Sequence, residues 1–329
     1  MSMVKTSQSL HNENFEYMCS TGTITCIDHT DGHKRKVFHP SQITRDIPKG
    51  LAGADAVLIL TQSLQHRSLS PLVAPHLKSG QIVLIIPGNM GSLEFRKHAV
   101  ADDIIFVEAE STPYDARIVT PGEVEILFSN VRNAVSFTEK THQQYLSRVN
   151  QLFGRHKYLR ANIIESTLHN PNMIVHTVGS IMSASRIEYA KGEFWMYREA
   201  FSPSIWNVIA QLDDEKQRVM RHFGCSAIVS YLDACKWRNE EDLSQDSMAV
   251  FQMYAATGGP KGPSTIHTRY IYEDVPMELC LLENLGYYTG EDTPVASALI
   301  TIASSLLQTD FRTQAYSLSE LSDYLDSLK

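Results

Sequence analysis

The sequence predicts an α/β half built on a parallel sheet, followed by a half that is all helix. Three observations carry this expectation. Short aliphatic runs, Ala56–Leu60 and Ile82–Ile86, alternate with stretches of helical spacing, the pattern of strands covered on both faces by helices. These runs end in the polar loop Thr61-Gln62-Ser63 or at Pro87-Gly88, as strands entering turns do. Beyond about residue 160, helical spacing continues almost unbroken to the end. A chain of 329 residues has room for two units at roughly 150 residues each. The change of pattern near residue 156 divides it into 1–155 and 156–329.

Taken in order, residues 54–60 read as a buried strand, and Leu69, Leu72, Val73 and Leu77 mark a helix over 68–78 closed by Gly80. A strand at Gln81–Ile86, a helix at Ser92–Val100 and a strand at Asp103–Val107 follow. Residues 115–137 alternate with period two around Pro121-Gly122, which predicts a hairpin added antiparallel to the same sheet. Tyr145, Val149, Leu152 and Phe153 share one face of a helix over 139–153, and Gly154 stops it. Helices are then expected at 172–190, 203–223, 226–237, 246–257, 276–285, 294–308 and 318–327. Thr293-Pro294 suits a helix start, and Ser317 with Glu320 forms a capping box. The first persuasive strand–helix pair begins near residue 54, so the 53 residues before it supply no ordinary first βαβ unit.

Composition narrows the function. Hydrophobic residues make up 43% and charged residues 20%, a balance that excludes disordered, collagenous and disulfide-scaffold classes. With 29 basic against 37 acidic residues and no basic stretch interleaved with aromatics, no nucleic-acid partner is expected. The five cysteines form no CxxC pair and no histidine pair has metal-ligand spacing, so no metal site is expected and a reducing, cytoplasmic location is. No aliphatic run approaches the length of a bilayer span, and the first twenty residues are too polar for a secretory signal.

Ligands of parallel sheets bind at the carboxyl ends of the strands. Here those ends are Thr61-Gln62-Ser63, Pro87-Gly88-Asn89 and Glu108-Ala109-Glu110-Ser111-Thr112. A GxGxxG turn between strand and helix, the usual pyrophosphate cradle, is not found. The dense glycine clusters are Gly50 with Gly53, Gly88 with Gly91, and Gly258-Gly259 with Gly262, and none has that spacing and context. In the helical half, 172–190 is apolar almost all round except for a stripe of Asn172, His176, Gly179, Ser180 and Ser183. Such a stripe either faces a cavity or pairs with neighbouring helices, and a buried histidine is either a satisfied core residue or a working one. Arg269-Tyr270-Ile271-Tyr272-Glu273-Asp274 gathers a cation, two phenols and two carboxylates before a helix start. Helix capping accounts for it as well as a binding site does.

Several of these segments, in register, resemble the opine (octopine/nopaline-type) dehydrogenases. The resemblance lies in Leu168-His169-Asn170-Pro171-Asn172-Met173-Ile174-Val175-His176, in Gly192–Glu199 with Ser202-Pro203, in Arg269–Pro276 and in Thr309–Arg312. In the first half Gly53–Ile59, Pro87-Gly88 and Leu93–Lys97 also fit. It implies a Rossmann-like domain, here lacking the N-terminal GxGxxG segment, joined to a helical catalytic domain. The implied activity is NAD- or NADP-dependent reductive condensation of an α-keto acid with the amino group of an amino acid, and a homodimer is the implied assembly. Carried over by position, His176 is the general acid/base, Asp274 its partner and Arg269 the carboxylate anchor. Asn172 and Glu110 face substrate, and Thr61, Gln62, Pro87 and Gly88 lie along the cofactor. The chemistry asks for the same types: a group titrating near neutrality, a carboxylate to orient it, and a planar guanidinium for a carboxylate. The absence of the glycine turn leaves a second expectation, a non-catalytic relative that binds an amino or keto acid or serves in an assembly.

Overall fold

Strands with no polar face have to be covered on both sides, and that requirement organises the first half. The computed structural model describes residues 1–257 and 261–329, so Gly258 and Gly259 of the third glycine cluster lie outside the described residues. β1 (Ser2–Val4), α1 (Asn12–Thr21), β2 (Ile24–Asp28), β3 (Lys34–Phe38), β4 (Gln42–Thr44) and α2 (Ile47–Leu51) precede the alternation expected from sequence. That alternation then appears as β5 (Ala56–Ile59), α3 (His66–Val73), β6 (Ile82–Ile85), α4 (Gly91–His98) and β7 (Ile105–Ala109). β8 (Tyr114–Thr120), β9 (Glu123–Ser129), β10 (Ala134–Phe137), α5 (Leu146–Phe153) and β11 (Tyr158–Leu159) complete the half.

The central sheet runs β11-β10-β7-β6-β5, with β5, β6 and β7 parallel and β10 antiparallel to β7. Val57, Ile59, Val83 and Ile85 pack on one face against Leu69, Val73 and Phe95. Ile82, Leu84, Ile105 and Val107 pack on the other with Phe137 and Val149 of α5. Every residue of β6 and β7 is buried, as all-apolar runs require.

One expectation is corrected. The hairpin does not extend the central sheet. β8 and β9 join β2 and β3 in a separate four-stranded arm, ordered β3-β2-β9-β8. The free side of β7 is taken by the buried strand β10 instead, whereas β9 is only half-buried and suits a sheet open to solvent on one side. The first 53 residues, of which the sequence says only that they hold no ordinary first βαβ unit, carry β1 to β4, α1 and α2. They supply β2 and β3 to the arm, and β1 pairs in parallel with β4.

The second half is helical as expected: α6 (Ile163–Leu168), α7 (Asn172–Ile181), α8 (Ala184–Ala190), α9 (Met196–Glu199), α10 (Pro203–Arg221), α11 (Tyr231–Asn239), α12 (Ser247–Thr257), α13 (Arg269–Tyr272), α14 (Cys280–Thr289), α15 (Pro294–Leu307) and α16 (Leu318–Ser327). The helix expected over 172–190 is two, broken at Met182-Ser183, where Ser183 leaves helical geometry (φ −111°, ψ 16°). Between α13 and α14 the chain widens into a π-turn over Val275–Leu279, with Pro276 bringing no N–H to a tighter ladder. No helix among the described residues is long and apolar enough to cross a membrane.

The turn from β6 into α4 is held from inside. Asn89 and Met90 both have positive φ (46° and 63°), a conformation methionine enters only under constraint. The constraint is Glu108, fully buried, which accepts from the backbone N–H groups of Met90 (3.1 Å) and Ser92 (2.8 Å). A Cβ on Gly88 would stand 2.3 Å from the Glu108 side chain, so glycine leaves the space in which Glu108 fastens the turn. Gly88→Ala should therefore lower stability by about 1–3 kcal/mol, read as a lower urea midpoint at unchanged m-value; an unchanged midpoint contradicts this packing.

Candidate active site

The site is built around one short stretch, residues 268–278. Thr268 caps α13, while Ile271 and Val275 are fully buried and anchor the stretch in the helical core. This registration turns Arg269 outward, its side chain 52% exposed, and turns Glu273, Asp274 and Glu278 inward, each no more than 2% exposed. Three buried carboxylates in six residues each need a partner.

They find three different ones. Asp274 Oδ2 lies 2.7 Å from Nδ1 of His176 on α7. Glu273 Oε1 accepts from the Ser63 backbone N–H at 2.7 Å, across the junction with the sheet, and its other oxygen is 3.5 Å from the Arg269 guanidinium. Glu278 Oε1 accepts from the Asn89 and Asn170 side-chain amides at 3.0 and 2.7 Å. Asn89 also donates to Ser63 Oγ (3.0 Å) and accepts from Asn170 (3.1 Å), and Asn170 in turn accepts from the Asn172 backbone N–H (3.1 Å). The loops after β5 and β6 are thereby tied to the start of α7.

His176 is held on a second side by Tyr270, whose ring stacks on it at 3.5 Å and 5°. With Nδ1 engaged by Asp274, Nε2 is the ring nitrogen left for a substrate. The imidazole is 7% exposed. Burial, helped by the positive charges of Arg269 and Arg117, pushes its pKa down to about 3. Burial pushes the Asp274 carboxyl up, opposed by Arg269. It pushes Glu278 up as well, reinforced by the negative charge of Asp274.

His176 opens onto a cavity of about 590 Å³ that it lines with Asn172, Arg269 and Tyr270. Leu58, Leu60, Ile86 and Pro87 close it from the carboxyl ends of β5 and β6, and Asp115, Arg117 and Phe128 close it from the hairpin arm. Tyr197, Tyr231, Phe251 and Tyr254 form its wall in the helical half.

Five of the nine residues singled out from sequence thus come together: His176, Asp274, Arg269, Asn172 and Pro87. The other four do not reach the cavity. Glu110 is corrected: it is 1% exposed and bound by the Arg160 guanidinium at 2.8 and 2.9 Å, because the loop after β7 turns it toward the buried cation and not toward the void. Thr61 and Gln62 do not line the cavity; Ser63 is the member of that loop with a partner in the site. Gly88 packs on Glu108. Sequence reasoning missed Glu278 and Arg117, and it placed Asn89 at a strand end and Asn170 in the motif before His176 without giving either a role. Asn89 directly follows Pro87-Gly88 at a strand end and Glu278 stands four residues after Asp274, so position alone marked both.

The void accepts one end of a dinucleotide better than the other. Leu58 and Leu60, 43% and 64% exposed, make an apolar shelf beside Pro87 on which a planar nicotinamide fits. For a pyrophosphate, the described strand ends offer no glycine turn. The turn after β1, residues 5–11, has no glycine, and the space at Gly88 is filled by Glu108.

Residues 159–307 match the family model for the NAD/NADP octopine/nopaline dehydrogenase alpha-helical domain. The chain is 27% identical over 295 residues to an opine dehydrogenase of Arthrobacter sp. (strain 1C), covering 86% of this chain and 79% of that protein. It is 20% identical over 307 residues to a vitopine synthase of Allorhizobium ampelinum, covering 91% and 82%. Its fold resembles that of octopine dehydrogenase solved with NADH and agmatine, with a TM-score of 0.79 at 16% identity over 99% of this chain and 91% of the other.

The buried, uncharged state of His176 has a direct readout. Its folded pKa lies below the ordinary value of 6.5, so it contributes stability that is present above that value and is lost as pH falls toward 3. Histidine NMR should show the His176 ring neutral at pH 5; a titration midpoint between pH 6 and 7 contradicts the site's electrostatics.

Proposed function

We propose that the chain, which is similar to the opine dehydrogenases in its helical half and over most of its length, catalyses NAD(P)H-dependent reductive condensation of an α-keto acid with the amino group of an amino acid. The observation that carries this reading is the 2.7 Å His176–Asp274 pair opening onto a cavity shared with Arg269. Arg269 is half-exposed and held only loosely, 3.5 Å from Glu273, so its planar fork is available to the keto acid carboxylate. His176, neutral at rest, takes a proton at Nε2 from the substrate ammonium and frees the amine to attack the carbonyl. Asp274 then stabilises the imidazolium through Nδ1. Within the adduct the nitrogen passes a proton to the former carbonyl oxygen, and the proton on Nε2 then goes to the resulting carbinolamine hydroxyl, which departs as water to leave the protonated imine and neutral His176. Reduced NAD or NADP, when bound, supplies the hydride that completes the secondary amine. Leu58, Leu60 and Pro87 would lie against its ring, and Asn172 beside the reacting groups.

The five free thiols support a cytoplasmic setting for this reading, and a homodimer through the helical half belongs to it as well. A second reading, a non-catalytic binder of an amino or keto acid, is favoured by one observation, the lack of a glycine turn for a pyrophosphate at the described strand ends.

Oxidation of NADH or NADPH should require keto acid and amino acid together. Oxidation with keto acid alone contradicts condensation, and none with any pair favours the binder. Arg269→Lys, which replaces a fork by a point charge, should raise the keto acid KM by about tenfold with a smaller change in kcat. An unchanged KM removes Arg269 from the anchor role.

A further inference from the structure

We propose that Arg117, on the hairpin arm, is the anchor for the carboxylate of the amino acid substrate, and that the aromatic wall beside it selects an amino acid with a neutral, hydrophobic side chain. This rests on the condensation reading, in which two carboxylates enter one cavity.

Three guanidiniums line that cavity: Arg117, Arg238 and Arg269. Arg238 is committed elsewhere, 3% exposed, donating to the His169 carbonyl at 3.1 Å and lying 3.8 Å from Glu110. Arg269 and Arg117 remain, with side chains 52% and 50% exposed. They come from opposite walls, one from α13 and the other from β8. Arg117 pairs with Asp115, the neighbour two residues back along the same strand. This contact braces the guanidinium without burying it. Its charge already acts on His176 and on the Tyr254 and Tyr270 phenols, so a carboxylate bound there lies within reach of the reacting centre.

The wall between the two cations is aromatic. Phe251 and Tyr231 are nearly buried. Tyr254 meets Tyr197 edge-on at 5.0 Å and Phe128 of the arm at 6.0 Å. Ring faces also hold cations, and charge decides between the two. Asp115 is the sole carboxylate among the described lining residues, and it is paired with Arg117. A lysine- or arginine-like side chain would find Asp115, Glu110 and Glu273 each already beside one of the three guanidiniums, and an acidic one would leave its charge against ring faces. A hydrophobic side chain loses nothing there and buries its area.

The test uses the full chain with pyruvate and a series of amines. L-phenylalanine and L-leucine should exceed L-arginine and L-glutamate in kcat/KM by about tenfold or more. Arg117→Ala should raise the KM for L-phenylalanine by about tenfold or more and leave the pyruvate KM unchanged, with Arg117→Lys recovering part. Phenethylamine, which has no carboxylate, should be indifferent to the substitution. Preference for L-arginine or L-glutamate, or equal losses for phenylalanine and phenethylamine, overturns the proposal. If no pair of substrates turns over, the condensation reading fails, and calorimetric binding of L-phenylalanine against L-arginine and phenethylamine, to wild type and Arg117→Ala, decides this one: no preference, or no effect of the substitution, overturns it.

Discussion

Burial of three carboxylates within residues 273–278 is the constraint on which the rest of the structure depends. A buried carboxylate without partners costs several kcal/mol, so the segment is stable only where three separate groups meet it. Ser63 comes from the loop after β5, Asn89 from the turn after β6, and His176 from α7. Satisfying the acids fixes the sheet against the helices and, in the same act, fixes the imidazole. The π-turn is the local device that permits this, turning Asp274 and Glu278 inward while Arg269 stays in the void.

The cavity is composite for the same reason. Its shelf comes from strand ends, its cation pair from α13 and the arm, and its aromatic wall from the helical half. The arm is distant in sequence from the helices it faces, yet Phe128 reaches Tyr254. The cavity wall is thereby divided among elements with separate structural duties, and the His176–Asp274 pair sits where they converge. The glycine at 88 works at one remove, giving Glu108 the room to hold the turn that presents Asn89.

How much of this was legible in the sequence depended on the range of the interaction. β5, β6 and β7 were legible because continuous apolar runs have one stable environment. The helical half was legible because its spacing persists. His176, Asp274 and Arg269 were legible through a resemblance spanning several motifs in order. What failed was long-range pairing. Period-two alternation identified β8 and β9 as a hairpin but could not say which sheet they join, and in the first 53 residues β2 is short and only half-buried and β3 is mostly charged and exposed. Glu110 failed likewise, since a strand-end acid reads as substrate-facing until Arg160 is seen beside it. Arg117 was invisible because nothing local distinguishes it from any other arginine of an exposed strand.

The central claim is that His176 and Asp274 act as one proton-handling unit set by the buried acid cluster. A double-mutant cycle in kcat tests it most directly, comparing His176→Ala, Asp274→Asn and the pair under saturating keto acid and amine. Groups that work through each other are non-additive, so the double variant should be no slower than His176→Ala alone. Rate losses that multiply across the two substitutions would contradict the account.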